Sequence, residues 1–165
     1  MKRITGWTKL TTNLYTASCA SNHRGRDKIV NPGEAVPLIG KFAYCAMFDK
    51  DLKEEWVQTW VQDKACHWTK VARQKTTLDS PSHVVDGVTD DGGRIFTTLP
   101  GAGATSGTHR VAMLAEGDFS RADFNVHVWK RGTKAIVTDI DATLTTSDYC
   151  AHLPAVRALP AITQP

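Results

Sequence analysis

The chain has 165 residues, of which 41% are hydrophobic, and its 20 basic and 17 acidic side chains give a net charge of +3. That length suits one domain of ordinary size with a buried core. No stretch approaches the roughly 20 apolar residues of a membrane-spanning helix, and no apolar run follows the basic start of the chain. We therefore expect neither a transmembrane segment nor a cleavable signal peptide, and we favour a cytoplasmic location.

Positive charge is concentrated near the N-terminus. Residues 1–30 carry six basic residues and one acidic residue, whereas residues 31–165 carry 14 basic and 16 acidic residues. The body of the chain therefore lacks the composition of a nucleic-acid-binding surface, and we expect no nucleic-acid partner. Because residues 1–33 also show no sustained hydrophobic periodicity, they are predicted to form a mobile basic arm.

The four cysteines do not form a recognisable ligand pattern. Cys19, Cys45, Cys66 and Cys150 include no Cys-x-x-Cys pair, so their spacing fits neither a zinc site nor a disulfide framework. We expect buried or free thiols.

From Glu34 onwards, short apolar or alternating runs are separated by Gly, Asp and Pro, which is the pattern of strands and turns. Residues 56–61 also fit a helix, but their aromatic and β-branched content favours a strand. The predicted strands are 36–47 with a break at Gly40, 56–61, 68–72, 82–85, 94–99, 109–115, 124–130 and 134–138. The spacing predicts an all-β fold, with an Ig-like β-sandwich over residues 34–131.

The most informative stretch lies near the C-terminus, where the apolar strand 134–138 runs into Asp139-Ile-Asp141-Ala-Thr143. A buried strand that ends in two carboxylates places both at the C-terminal edge of a sheet, where the sites of α/β proteins form. We expect the pair to lie on a turn, and not on a continued strand, if the two carboxylates are to cooperate in one reaction. The alternative is an acidic turn that merely ends a strand.

The sequence Val-Thr-Asp-Ile-Asp-Ala-Thr-Leu-Thr-Thr-Ser-Asp (137–148) resembles the first motif of the haloacid dehalogenase (HAD) superfamily of Mg²⁺-dependent aspartate phosphatases. It is most similar to the lipin-type phosphatidate phosphatases and to the related C-terminal domain of large phosphatidylinositol transfer proteins. The stretches 40–44, 49–52, 89–94 and 116–123 resemble the β-sandwich that precedes such a motif in some bacterial proteins. The resemblance implies that residues 132–165 begin a truncated α/β HAD-like domain.

In that family, the aspartate at the position of Asp139 attacks phosphorus and the one at Asp141 exchanges protons, with both at the Mg²⁺ site. Thr143 matches the hydroxyl that contacts the phosphate. Residues 149–165 contain no acidic residue and three prolines, so they cannot supply the remaining ligands. We therefore expect a phosphatase segment, related to enzymes that act on phospholipids or other phosphomonoesters, that is inactive as this chain and leaves its status as an enzyme open.

The alternative belongs to a different functional class. In it, the chain is a non-catalytic β-sandwich module that binds a lipid headgroup, a glycan or a protein partner. Of possible partners, we favour a phosphorylated lipid or small molecule. We also expect self-association through strand 134–138, because an unpaired apolar edge can pair with a second chain.

Overall fold

The computed structural model describes residues 6–99 and 105–136. Residues 6–99 and 105–131 belong to one compact unit, and residues 132–136, the described part of a second unit, contain no helix or strand. Within the described ranges the chain forms one helix and twelve strands. The all-β class is thereby confirmed, whereas the Ig-like strand order stays a prediction.

The elements follow one another closely along the chain. Their bounds are α1 (Leu10–Ser18), β1 (Arg24–Gly25), β2 (Lys28–Val30), β3 (Val36–Lys41), β4 (Ala43–Tyr44), β5 (Lys50–Asp51), β6 (Trp56–Gln62), β7 (Trp68–Lys75), β8 (Asp79–Val85), β9 (Val88–Asp91), β10 (Arg94–Leu99), β11 (Gly107–Ala115) and β12 (Arg121–Val128).

Two sheets carry the core. A three-stranded sheet has the order β1-β3-β10, and a five-stranded sheet has the order β2-β12-β11-β6-β7. The hairpins β4-β5 and β8-β9 are separate two-stranded pairs. Within the five-stranded sheet, β2 pairs in parallel with β12, so the start and the end of the sandwich meet at one edge.

The core lies between the two sheets because their strands alternate apolar residues inward. In β12, Phe124, Val126 and Val128 are buried, as the period-two pattern predicts. The sheets approach closely where glycines replace side chains. A Cβ atom on Gly25 would lie 2.0 Å from the Phe124 ring, and one on Gly40 would lie 2.5 Å from the Met113 sulfur.

The helix α1 is attached to the sandwich by a buried carboxylate. Glu55, at the start of β6, is 1% exposed. It accepts hydrogen bonds from the Thr8 amide at 2.8 Å, the Thr8 hydroxyl at 2.8 Å and the Lys9 amide at 3.1 Å. A carboxylate at a helix N-terminus satisfies free amides and interacts favourably with the helix dipole.

The region expected to be a mobile arm differs from that expectation over residues 6–33. It contains α1, β1 and β2, and both strands pair with the sandwich. Its cations take part in this structure: Lys28 donates to the Asp86 carboxylate at 2.6 and 2.7 Å. These pairings join residues distant in sequence, so local periodicity carries little signal for them.

The expectation of unpaired thiols is wrong for two cysteines. Cys19 and Cys45 form a disulfide, with their Cα atoms 4.9 Å apart, that joins the end of α1 to the β4-β5 hairpin. Cys66 is free and exposed, and Cys150 lies outside the described residues.

The remaining strand predictions have mixed outcomes. The strand interpretation of residues 56–61 is confirmed by β6. Lys134 to Ile136 form no strand, and residues 137 and 138 lie outside the described ranges. The beginning of an α/β domain at 134–138 is therefore not observed in the described part of the chain.

Candidate functional site

The helix α1 buries Thr12 and packs Tyr15 against the core, and its two leucines lie on the outer side. Thr12 is buried and Thr16 is half-buried, whereas Leu10 is 77% exposed and Leu14 is 68% exposed. In a helix on the surface of a water-soluble domain the apolar stripe normally faces the core. Here two leucines one turn apart are instead exposed on the outer side.

A second pair of exposed apolar side chains lies in a turn that a disulfide joins to the C-terminal end of the helix. Met47 and Phe48, in the turn between β4 and β5, are 90% and 82% exposed. The Phe48 amide donates to the Cys45 carbonyl at 2.8 Å, and Cys45 is bonded to the end of α1. The disulfide therefore holds the turn beside the helix. We call Leu10, Leu14, Met47 and Phe48 the apolar end.

Three cations stand side by side on the outer face of the three-stranded sheet. Arg24 of β1 and Arg94 of β10 both lie directly opposite Lys41 of β3. We call this set the cation row. Like charges in facing positions destabilise a sheet unless anions compensate them, so the row depends on counter-charges.

Carboxylates from neighbouring loops and strands supply that compensation. Lys41, with a side chain only 8% exposed, contacts Asp51 at 2.6 Å and Asp91 at 3.1 Å. Arg94 contacts Asp91 at 2.6 Å. Burial acts to raise the pKa of Asp91, but hydrogen bonds from Arg94 and Lys41 outweigh it and hold the pKa below its usual value. Lys41 and Arg94 therefore share Asp91 as a counter-charge.

A small cavity of about 140 Å³ opens beside the cation row. Its charged lining consists of Arg24, Arg26, Lys41 and Arg94. Arg24 pairs with Asp49, the residue that follows Phe48. The cavity and the apolar end are therefore neighbours on the same part of the sandwich.

An apolar groove lies on the opposite side of the sandwich, on the outer face of the five-stranded sheet. It has a volume of about 600 Å³ and is lined by Trp60, Trp68, Ala112, Leu114, Phe119, Ser120 and Arg121. Trp68 is 39% exposed. The groove is a second apolar surface. It is concave, whereas the apolar end protrudes.

A half-buried serine, histidine and aspartate lie together, but they do not form an activated nucleophile. His23 Nε2 lies 2.8 Å from Ser120 Oγ, which donates to Asp118 at 2.5 Å. The Ala43 amide donates to Nδ1 at 3.3 Å, which places the ring proton on Nε2. Burial lowers the pKa of His23 to about 4, although Asp118 opposes that shift. In this tautomer the ring cannot accept the serine proton, so Ser120 is not activated.

The residues predicted to carry phosphatase chemistry, Asp139, Asp141 and Thr143, lie outside the described residues, and their roles and the Mg²⁺ site stay predictions. Within residues 6–99 and 105–136, no group of three His, Cys, Asp or Glu side chains has the geometry of a metal site. Self-association through residues 134–138 also stays a prediction. No helix in the described ranges combines the length and apolar character of a membrane span.

Comparison with known proteins decides the family. Residues 21–128 match the family model "PITM 1-3, beta-sandwich domain". The chain belongs to this family. It is 29% identical over 154 residues to membrane-associated phosphatidylinositol transfer protein 1 of Rattus norvegicus, an alignment that covers 92% of this chain and 12% of that protein.

Two further relatives show the same proportions. Protein retinal degeneration B of Drosophila melanogaster is 28% identical over 156 residues. Membrane-associated phosphatidylinositol transfer protein 2 of Mus musculus is 26% identical over 156 residues. Each alignment covers 92% of this chain and 11% of the relative. The chain thus spans only about an eighth of the length of these relatives.

The assignment to HAD or lipin-type phosphatases is wrong. The family match rests on the β-sandwich, and two of the three relatives are membrane-associated phosphatidylinositol transfer proteins. The resemblance to the large phosphatidylinositol transfer proteins depended only on the aspartate motif, which lies outside the matched residues 21–128. The phosphatase prediction depended on that short motif because the hundred residues before it have few distinctive sequence features.

The sequence patterns predicted neither the cavity beside the cation row nor the apolar end. Arg24, Arg26 and Lys28 alternate with other residues, which places three cations on one face of an extended chain. That period-two pattern was a usable signal. Met47 and Phe48 follow the buried residues Phe42 to Tyr44, so nothing local separates the exposed pair from the core.

Proposed function

We propose that this chain is a non-catalytic β-sandwich module that attaches to the surface of phospholipid membranes through the apolar end. The observation that carries the proposal is the exposure of Met47 and Phe48 at a turn, beside a helix whose leucines face outward. The names of the relatives, which pair membrane association with phosphatidylinositol transfer, support the same class of partner.

The apolar end has enough hydrophobic surface to hold a domain at a membrane. Fully burying one Leu, Met or Phe side chain contributes roughly 1.5–3 kcal/mol. The four side chains already project from the protein, so inserting them needs no unfolding. Loss of free motion on binding offsets part of this gain, so the sum over four side chains is an upper bound.

Electrostatics add to the attraction. Lys50 follows the turn and is exposed, and Arg24 of the cation row pairs with Asp49 in the same turn. A basic residue close to an anionic leaflet contributes about 1 kcal/mol of attraction. Binding to anionic vesicles should therefore exceed binding to neutral vesicles and weaken as salt is added.

The test is co-sedimentation of the full chain with vesicles of phosphatidylcholine alone and of phosphatidylcholine mixed with phosphatidylserine. The double variant Met47→Ser, Phe48→Ser should reduce the partition coefficient at least about tenfold, because it removes two inserted side chains. The matched control is Trp60→Ser, Trp68→Ser in the apolar groove, which should bind like the native chain.

Two results would contradict the proposal. In the first, the tryptophan variant loses vesicle binding and the turn variant keeps it, which would move the membrane contact to the groove. In the second, the native chain is a dimer by light scattering and Phe48→Ser makes it a monomer without vesicle binding in either form. The apolar end would then be a protein interface.

A further inference from the structure

The cavity beside the cation row combines three guanidinium groups with fixed positions and unused donors. Arg24 and Arg94 are each held by one carboxylate, and Arg26 donates through Nη1 to the Asp86 carbonyl at 2.8 Å. Each guanidinium has five N–H donors. Most of these donors have no protein acceptor among the described residues, so they remain available to a ligand.

Lys41 has a different part in the cavity. Its ammonium group has three donors, which are satisfied by Asp51, Asp91 and the Gly92 carbonyl. It therefore supplies positive charge to the cavity lining, while the arginines supply hydrogen bonds.

The ion pairs around the cavity have a small excess of positive charge. Among the described residues they form three separate groups: Arg24 with Asp49; Arg26 and Lys28 with Asp86; and Lys41, Lys53 and Arg94 with Asp51, Asp79 and Asp91. Together these are six cations and five carboxylates. The carboxylates pair with the charged ends of these side chains. An anion with several oxygens that enters from solvent would accept hydrogen bonds from the unused donors.

We infer that the cavity lined by Arg24, Arg26 and Arg94 is a binding site for a phosphomonoester group. A phosphomonoester presents three terminal oxygens to three guanidiniums, whereas a phosphodiester presents only two. Arginine is suited to this role because its planar fork matches phosphate oxygens and its charge is permanent. Fixing each guanidinium in advance lowers the entropy lost on binding.

The position of the cavity links this site to the membrane. Arg24 pairs with Asp49 next to Phe48, so a cavity beside the inserted turn would lie at the level of the headgroups. That a lipid supplies the phosphomonoester rests on the proposed function. The phosphate site itself does not, because a free phosphomonoester has the same chemistry.

The first experiment uses soluble probes with the full chain. Glycerol 3-phosphate represents a free phosphomonoester, a short-chain water-soluble phosphatidate represents the lipid headgroup, and glycerophosphocholine is the diester. Calorimetry and the NMR signals of the arginine Nε–H groups are the readouts. We expect both monoesters to shift the signals of Arg24, Arg26 and Arg94 and to bind about tenfold more tightly than the diester.

The second experiment uses matched variants. Arg24 and Arg26 have side chains 52% and 47% exposed, so Arg24→Gln and Arg26→Gln should fold. Each should weaken monoester binding about tenfold. The control is Arg121→Gln on the opposite sheet, where the side chain is 58% exposed and pairs with one carboxylate, Asp123, at 2.8 Å. It should bind as tightly as the native chain.

The outcomes separate this inference from the proposed function. No signal shift at the three arginines, equal binding of the diester, or native affinity in both Arg24→Gln and Arg26→Gln would overturn the phosphomonoester site, even if vesicles bind. Monoester binding that the two variants weaken, without vesicle binding by the native chain, would support the site and overturn the membrane proposal.

Discussion

The buried imidazole of His23 makes the stability of the sandwich depend on pH. The ring lies between Phe42, at a centroid distance of 4.6 Å, and Tyr44, at 5.1 Å. Burial lowers its pKa from 6.5 to about 4. The unfolded chain binds the proton more readily than the folded chain does. The contribution of His23 to the free energy of unfolding is therefore fully present above pH 6.5 and is lost as the pH falls from 6.5 towards 4.

The size of the effect follows from the shift. Each pKa unit corresponds to about 1.4 kcal/mol, so the neutral His23 should contribute roughly 3 kcal/mol of unfolding free energy at pH 7 relative to pH 4. The assay is urea unfolding of the native chain and of His23→Asn at a series of pH values between 7 and 4. Asparagine keeps an acceptor for the Ala43 amide but cannot titrate.

The difference between the two pH profiles isolates His23, since every other group titrates in both proteins. The native chain should lose about 3 kcal/mol more than His23→Asn over this range. His67→Asn is the control, because His67 has a side chain 80% exposed, and its profile should follow that of the native chain. Parallel profiles for native and His23→Asn would refute the reasoning, since they would mean that His23 protonates in the folded state without cost.

Three further predictions concern other parts of the chain. Cys19→Ser should lower the free energy of unfolding by about 3 kcal/mol in urea titrations under oxidising conditions, because the disulfide with Cys45 closes a loop of 26 residues; no change would mean that the bond does not form. Gly25→Ala should lower it by about 1–3 kcal/mol, because the new methyl group would overlap the Phe124 ring; unchanged stability would contradict the close packing there. With Mg²⁺ present, the native chain should hydrolyse p-nitrophenyl phosphate no faster than Asp139→Asn, and turnover that this substitution abolishes would show a catalytic role for the motif.

The fold class could be predicted because the information for it is local. The alternation in β12 and the turn at Asp90-Asp91-Gly92-Gly93 each set the structure within a few residues. The edges of the sandwich could not be predicted in the same way. Residues 28–30 pair in parallel with β12 almost a hundred residues later, and no local pattern specifies a partner so distant.

The candidate site depends on long-range pairing in the same way. The cation row exists only because β1 and β10 flank β3 in a register that aligns Arg24, Lys41 and Arg94. The apolar end requires a bond between Cys19 and Cys45, and disulfide connectivity does not follow from cysteine spacing. Exposure also depends on the fold, since Phe42 and Phe48 look alike in sequence but only Phe42 is buried.

The depth of Phe48 in a bilayer tests the central claim most directly. A trifluoromethyl-phenylalanine at position 48, and in a second sample at Leu78 as an exposed control, would be followed by fluorine NMR with anionic vesicles. We predict that nitroxides on the lipid acyl chains broaden the signal at position 48 but not at 78, while a soluble relaxation agent broadens only position 78. A signal at position 48 that stays open to the soluble agent and unaffected by the acyl-chain nitroxides would contradict membrane attachment through the apolar end.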